Sequence, residues 1–172
     1  MFRSIMLRTI ILCIAVIALS GCVTTLHPGS GMKLPTDLVG PFPEDYSVNL
    51  INNQPDATPL SFYSGLAADL NEWTQFLIDE LSEELQDRGV EISPTSPNEL
   101  LVKISNLRSV QGFAVVRMYI TVLLSTPDNS WSKEIKVNEA SAWTIGRALG
   151  GVIYRTNEKI LTDKEIMNEM RS

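Results

Sequence analysis

From position 46 onward the apolar residues follow two periods, and the switches between them mark the elements. Tyr46, Val48 and Leu50 alternate with Ser47 and Asn49, which predicts a strand over 46–52. Asn52, Asn53, Pro55, Asp56 and Pro59 then read as a polar connection. Leu66, Leu70, Trp73, Leu77, Leu81 and Leu85 recur at spacings of three and four, predicting a helix over about 65–88. Ser64 stands as its N-cap and Gly89 at its left-handed end. A short strand over 90–93, stopped by Pro94 and Pro97, precedes three longer ones: 99–110 with Val102, Ile104 and Leu107, 113–125, and 131–140 with Trp131, Ile135 and Val137. Gln111-Gly112 and the run Thr126 to Asn129 join them by short reversals, so they pair as an antiparallel meander.

Helical spacing returns with Ile145, Leu149, Val152, Ile153, Thr156 and Ile160. Gly146, Gly150 and Gly151 lie in its first turns, which calls for close packing on the sheet or a break near Gly150. Thr162 to Glu165 has capping-box spacing and opens a last short helix carrying Ile166, Met167 and Met170. The expected fold is therefore α+β, with two layers: a mostly antiparallel sheet of four to five strands packed by two main helices, all in one domain over 46–172.

The segment 113–125 is apolar on both faces. Ala114, Val116, Met118, Ile120, Val122 and Leu124 lie on one, and Phe113, Val115, Tyr119 and Leu123 with Arg117 on the other. A strand covered by helices on one side needs only one apolar face. The second is covered by a loop, the N-terminal segment or the C-terminal segment, or else it is an open contact surface for a partner or a lipid. The first helix raises a similar alternative. Asp69, Glu72, Asp79, Glu80, Glu83, Glu84 and Asp87 lie opposite its apolar stripe, either as a solvated face or as a docking face for a basic partner.

The N-terminus has a different character. Arg3 and Arg8 precede an apolar run, Thr9 to Ala18, that is short for a membrane-spanning helix. Leu19-Ser20-Gly21-Cys22 resembles the bacterial lipobox, which implies a signal peptide over 1–21, cleavage between Gly21 and Cys22, and diacylglycerol and fatty acyl groups on Cys22; the competing reading is an uncleaved anchor. Two acyl chains suffice for stable anchoring. By analogy with enterobacterial sorting, Val23 in place of Asp after that cysteine implies the outer membrane. The segment 22–45 holds Pro28, Gly29, Gly31, Pro35, Gly40, Pro41 and Pro43 and reads as a tether of roughly 25 Å reach.

Charge and chemistry narrow the function classes. Cleavage would leave 151 residues with 12 basic against 20 acidic side chains, a formal charge near −8. Such a balance argues against nucleic acid as a partner and against attachment to anionic lipid by charge, leaving the membrane to be reached through the lipid anchor. Cys13 leaves with the leader and Cys22 is acylated, so no disulfide is expected. His27, the only histidine, has no neighbouring Cys or His, and neither a metal site, a non-covalent cofactor nor a catalytic residue is expected.

The order of tether, strand, long helix ending Leu85-Gln86-Asp87-Arg88-Gly89-Val90, the strand opening Asn98-Glu99-Leu100-Leu101-Val102-Lys103-Ile104, the Gln111-Gly112 turn and the strand Val116-Arg117-Met118-Tyr119-Ile120-Thr121-Val122 resembles the YajG-like periplasmic lipoproteins. It is more distantly similar to the lipopolysaccharide-assembly lipoprotein LptE and to the small domain that opens the Tol-system propeller protein. The resemblance covers roughly 46–142 and implies a non-enzymatic accessory of the outer membrane, facing the periplasm, that binds an envelope protein. The alternative is a carrier or sensor of an amphiphile, using an apolar groove beside 113–125 lined by Phe113, Val115, Tyr119 and Leu123, with Arg117 at its rim.

Overall fold

The computed structural model describes residues 24–171 other than 30–31, 40–41, 44, 56–58, 64–65 and 143. The leader with Gly21 and Cys22, and the expected cap Ser64, lie outside the described residues. The chain is α+β. Its elements among the described residues are β1 Thr24–Thr25, β2 Ser47–Asn52, β3 Pro59–Tyr63, β4 Leu66–Asp69, α1 Leu70–Gln86, β5 Glu91–Ile92, β6 Glu99–Gln111, β7 Val116–Ser125, β8 Ser132–Ser141, α2 Ile145–Thr162 and α3 Lys164–Glu169, with a 3-10 turn at Thr36–Leu38.

Five strands in the order β5-β2-β6-β7-β8 make the main sheet. β6, β7 and β8 form the expected antiparallel meander, whereas β2 runs parallel to both β5 and β6. Parallel neighbours need a crossover, and α1 lies on the connection between β2 and β6. Ser105 is the extra residue where the β6–β7 register slips between Ile104 and Asn106, and its hydroxyl donates to Thr121 O at 3.2 Å. One core joins Trp73, Leu77, Leu81 and Leu85 of α1 to Val102, Ile104 and Leu107 of β6, Met118, Ile120, Val122 and Leu124 of β7, and Val152, Ile153 and Ile160 of α2.

Both helix ends of α1 have identifiable causes. The helix starts at Leu70, because the Asp69 carboxylate accepts from Asn71 N at 2.9 Å and caps it. Leu66, which matched the helical period, instead belongs to β4, in a hairpin with β3 that the polar connection did not foretell. At the other end Gly89 adopts φ 85°, and Val90 N donates back to Leu85 O at 3.1 Å. α2 runs unbroken through its glycines. A Cβ on Gly151 would stand 2.6 Å from Glu139 Cγ, so this glycine lets the helix approach β8, while Gly146 and Gly150 meet nothing within 4 Å. The last helix is capped by Asp163, one residue later than the capping box implied; its carboxylate accepts from Glu165 N and Ile166 N at 3.0 and 3.3 Å.

The N-terminal segment corrects the expectation of a free tether over 22–45. Thr24 and Thr25 pair in parallel with Leu66 and Ala67, making β1 the third strand of a small sheet. Trp73 Nε1 donates to Leu26 O at 3.0 Å, and Leu34 and Phe42 are buried in the core. Phe42 stacks on Tyr46 with ring centroids 5.5 Å apart, and burial pushes the Tyr46 phenol up to about 12. The segment is a strap along α1. It was illegible because Leu34 and Phe42 are single apolar residues among prolines and glycines, with no period to betray them.

The β7–β8 turn is organised by Asp128. Its carboxylate accepts from Ser130 N at 3.0 Å, and from the Thr126 and Ser130 hydroxyls at 2.7 and 2.8 Å. The Ser130 amide first, then the two hydroxyls, holds its pKa down at about 2, against 3.8 for a free aspartate. A depressed carboxylate stabilises the fold above its unfolded pKa and loses that contribution as pH falls through the folded value. An NMR titration should therefore place the Asp128 midpoint near 2, and Thr126→Val should raise it; a midpoint at the ordinary value would refute this turn.

Candidate functional site: the open face of the sheet

Alternation along β7 sends its side chains to two different environments. Met118, Ile120, Val122 and Leu124 are fully buried under the helices. Tyr119, Thr121 and Leu123 point the other way and are half-buried, and Arg117 on the same side is exposed. Both main helices contribute to the core on the first side, so the second is the open face of the sheet. Register supplies the neighbours. Arg108 and Asn138 flank Tyr119, Asn106 and Lys136 flank Thr121, Lys103 and Glu134 flank Leu123, and Val110 and Ala140 flank Arg117.

The Arg108 guanidinium carbon sits 4.1 Å from the centroid of the Tyr119 ring. Such a contact is worth about 0.5–1 kcal/mol at an exposed site. Lys136 is paired with Glu134 at 2.5 Å, whereas Lys103, Arg108 and Arg117 have no carboxylate partner among the described residues. The cleft at Tyr119 is shallow, about 220 Å³, and is lined by Asn106, Arg108, Thr121, Lys136 and Asn138.

Of the five residues expected to share one contact face, the structure brings three together: Arg117, Tyr119 and Leu123. Phe113 and Val115 are corrected. β7 begins at Val116, and residues 112–115 form the turn, closed by Gly112 N donating to Val115 O at 2.8 Å. Phe113 is fully exposed at its tip and Val115 is half-buried. None of Phe113, Val115 and Leu123 lines the cleft at Tyr119. Arg108 and Lys103 belong to the face and were missed; their spacing of five breaks the period-two signal because the bulge at Ser105 lies between them.

The acidic side of α1 is a second candidate, and the strap occupies much of it. His27 Nδ1 lies 2.8 Å from Glu72, and Lys33 Nζ is 2.6 Å from Glu83 and 3.6 Å from Asp87. The Glu83 hydrogen bond holds the Lys33 pKa above its ordinary value. Glu84, expected on the solvated side, is buried. It accepts from Arg88 Nη1 at 2.7 Å and from Leu34 N at 2.8 Å, while Arg88 Nη2 donates to Pro35 O at 2.9 Å. Lys133 forms a third charged cluster, 2.7 Å from Asp163 and 2.6 Å from Glu165. No group of three or more His, Cys, Asp or Glu side chains suited to a metal ion occurs among the described residues.

Fold and site together define a small α+β domain with one helix-covered and one open sheet face. No family model matches the chain. No curated protein matches it. Among solved structures it is similar to an uncharacterized protein, at 12% identity over 84% of this chain and 98% of that one, with a TM-score of 0.40. It is also similar to a Helicobacter pylori protein proposed to be a neuraminyllactose-binding hemagglutinin homolog, at 13% identity over 85% and 98% of the two chains, with a TM-score of 0.36. Likeness at this level carries no functional conclusion.

Proposed function

We propose that this chain is an outer-membrane lipoprotein, anchored through acyl groups on Cys22, that acts in the periplasm as a non-enzymatic accessory by binding an envelope protein on the open face of its sheet. The lipobox-like Leu19 to Cys22 supports the anchor, and the resemblance to the YajG-like lipoproteins supports the class. The observation that carries the binding reading is the half-buried pair Tyr119 and Leu123 on a face that neither main helix covers, with Arg108 stacked on the tyrosine. An aromatic with an arginine against its ring is the kind of anchor on which interface energy concentrates.

Two measurements test the two halves. Radioactive fatty acid should label the wild-type protein and not the Cys22→Ser variant; equal labelling of both, or none of the wild type, would exclude the anchor. Tyr119→Asp places a charge on a surface that contributes nothing to the buried core, so the domain should keep its melting temperature within a few degrees while the intact lipoprotein loses its envelope crosslinks. A folded variant that retains every crosslink would rule out this face, and an unfolded one would mean that the face is internal structure.

A further inference from the structure

The acidic balance of the chain is not spread evenly. From Leu100 to Pro127 there is no Asp or Glu, although the whole chain has 20, and the same stretch carries Lys103, Arg108 and Arg117. This stretch is the β6–β7 hairpin. Its tip is apolar and exposed, with Phe113 standing fully free of the protein and Val110 at 41%. Arg117 stands one register pair back from the last pair before that tip and Arg108 three, over the Tyr119 ring, and neither is paired with a carboxylate among the described residues. An exposed aromatic at the tip of a hairpin whose strands carry unpaired arginines and no acidic residue is suited to the boundary between acyl chains and anionic headgroups.

The strap fixes which end of the domain faces the bilayer. His27 and Gly29 share a cleft of about 170 Å³ with Trp73, Gly146 and Gly150. α2 begins four residues after Ser141, and Ser141 is paired with Val116, the residue at which β7 leaves the Phe113 turn. The N-terminal segment therefore runs past the same end of the fold that carries this turn. From Cys22 to His27 the chain can span at most about 18 Å. We infer that the tip of the β6–β7 hairpin is a second membrane contact, inserting Phe113 at an anionic phospholipid surface beside the acyl anchor. The inference rests on the proposed acylation of Cys22 for its orientation. It also departs from the expectation that charge plays no part in attachment, because the relevant charge is local and positive.

The mature lipoprotein would hold no free thiol, so one added cysteine can be labelled alone. Acylated full-length protein carrying Ala114→Cys at the tip, or Asn129→Cys at the β7–β8 turn, would be labelled with an environment-sensitive fluorophore and reconstituted in vesicles containing nitroxide-labelled lipid. In phosphatidylethanolamine–phosphatidylglycerol vesicles the label at 114 should be quenched at least threefold more than the label at 129. In phosphatidylcholine vesicles, and with Phe113→Ser added in the anionic ones, that difference should fall by at least half. A label at 114 that stays as aqueous as the one at 129 would overturn the proposal, and equal quenching in both lipids would overturn its dependence on anionic headgroups. Fatty-acid incorporation measured on the same samples separates the two readings: a chain without acyl groups refutes the anchor, whereas an acylated chain with an aqueous tip refutes this inference alone.

Discussion

Glu84→Ala should destabilise the domain by about 3–5 kcal/mol, far more than any other acidic residue on α1. The Glu84 and Arg88 side chains are 4% and 2% exposed, so removing the carboxylate leaves a buried guanidinium facing only the carbonyl oxygens of Glu84 and Pro35. It also deprives Leu34 N of its acceptor, at the point where the strap enters the core. Glu83 offers the control, since its contact with Lys33 joins two side chains more than half exposed, and Glu83→Ala should cost less than about 1 kcal/mol. Replacing both Glu84 and Arg88 by methionine should recover much of the loss, because the penalty comes from the unpaired charge rather than from the absent pair. Urea melts of the four proteins decide the matter; similar midpoints for Glu83→Ala and Glu84→Ala would show that the pair is not buried.

Leu77→Ala is expected to cost about 2–5 kcal/mol by lost transfer energy and a residual cavity. Leu77 has no solvent exposure and lies midway along the stripe of α1, between Trp73 and Leu81, which are also buried. Glu80, on the same helix and half-buried, makes no hydrogen bond among the described residues, and Glu80→Ala should stay within about 0.5 kcal/mol. Equal effects in urea would mean that α1 packs with a different side against the sheet.

The parts of this fold that were legible share one property: their pattern is local and long enough to repeat. The stripe of α1, the meander and the periodic residues of α2 each recur over three or more turns or alternations. Leu66 was misplaced because one residue can satisfy both a helical and a strand period. Phe113 and Val115 were drawn into β7 because the alternation of apolar residues runs on into a turn that burial alone reveals. Glu84 could not be told from Glu83 or Asp87 by residue type, since what separates them is the strap, whose approach to α1 spans 50 positions of sequence between Leu34 and Glu84. On the candidate face, Tyr119 and Leu123 were visible as surplus apolar residues, whereas Arg108 needed the register across a bulge.

β8 closes the main sheet on one side, with the N–H and C=O groups of alternate residues directed outward from its edge, and its Lys136 O accepts from Lys159 Nζ at 3.0 Å. Lys133 and Glu139 stand on its inward side, where Lys133 reaches Asp163 and Glu139 lies 3.6 Å from Arg155, while Glu134 and Lys136 occupy the outward side. Charges on both sides of an edge oppose its extension by a second sheet, which would have to bury them. The charged rim of β8 thus disfavours the pairing of two such edges into a continuous sheet.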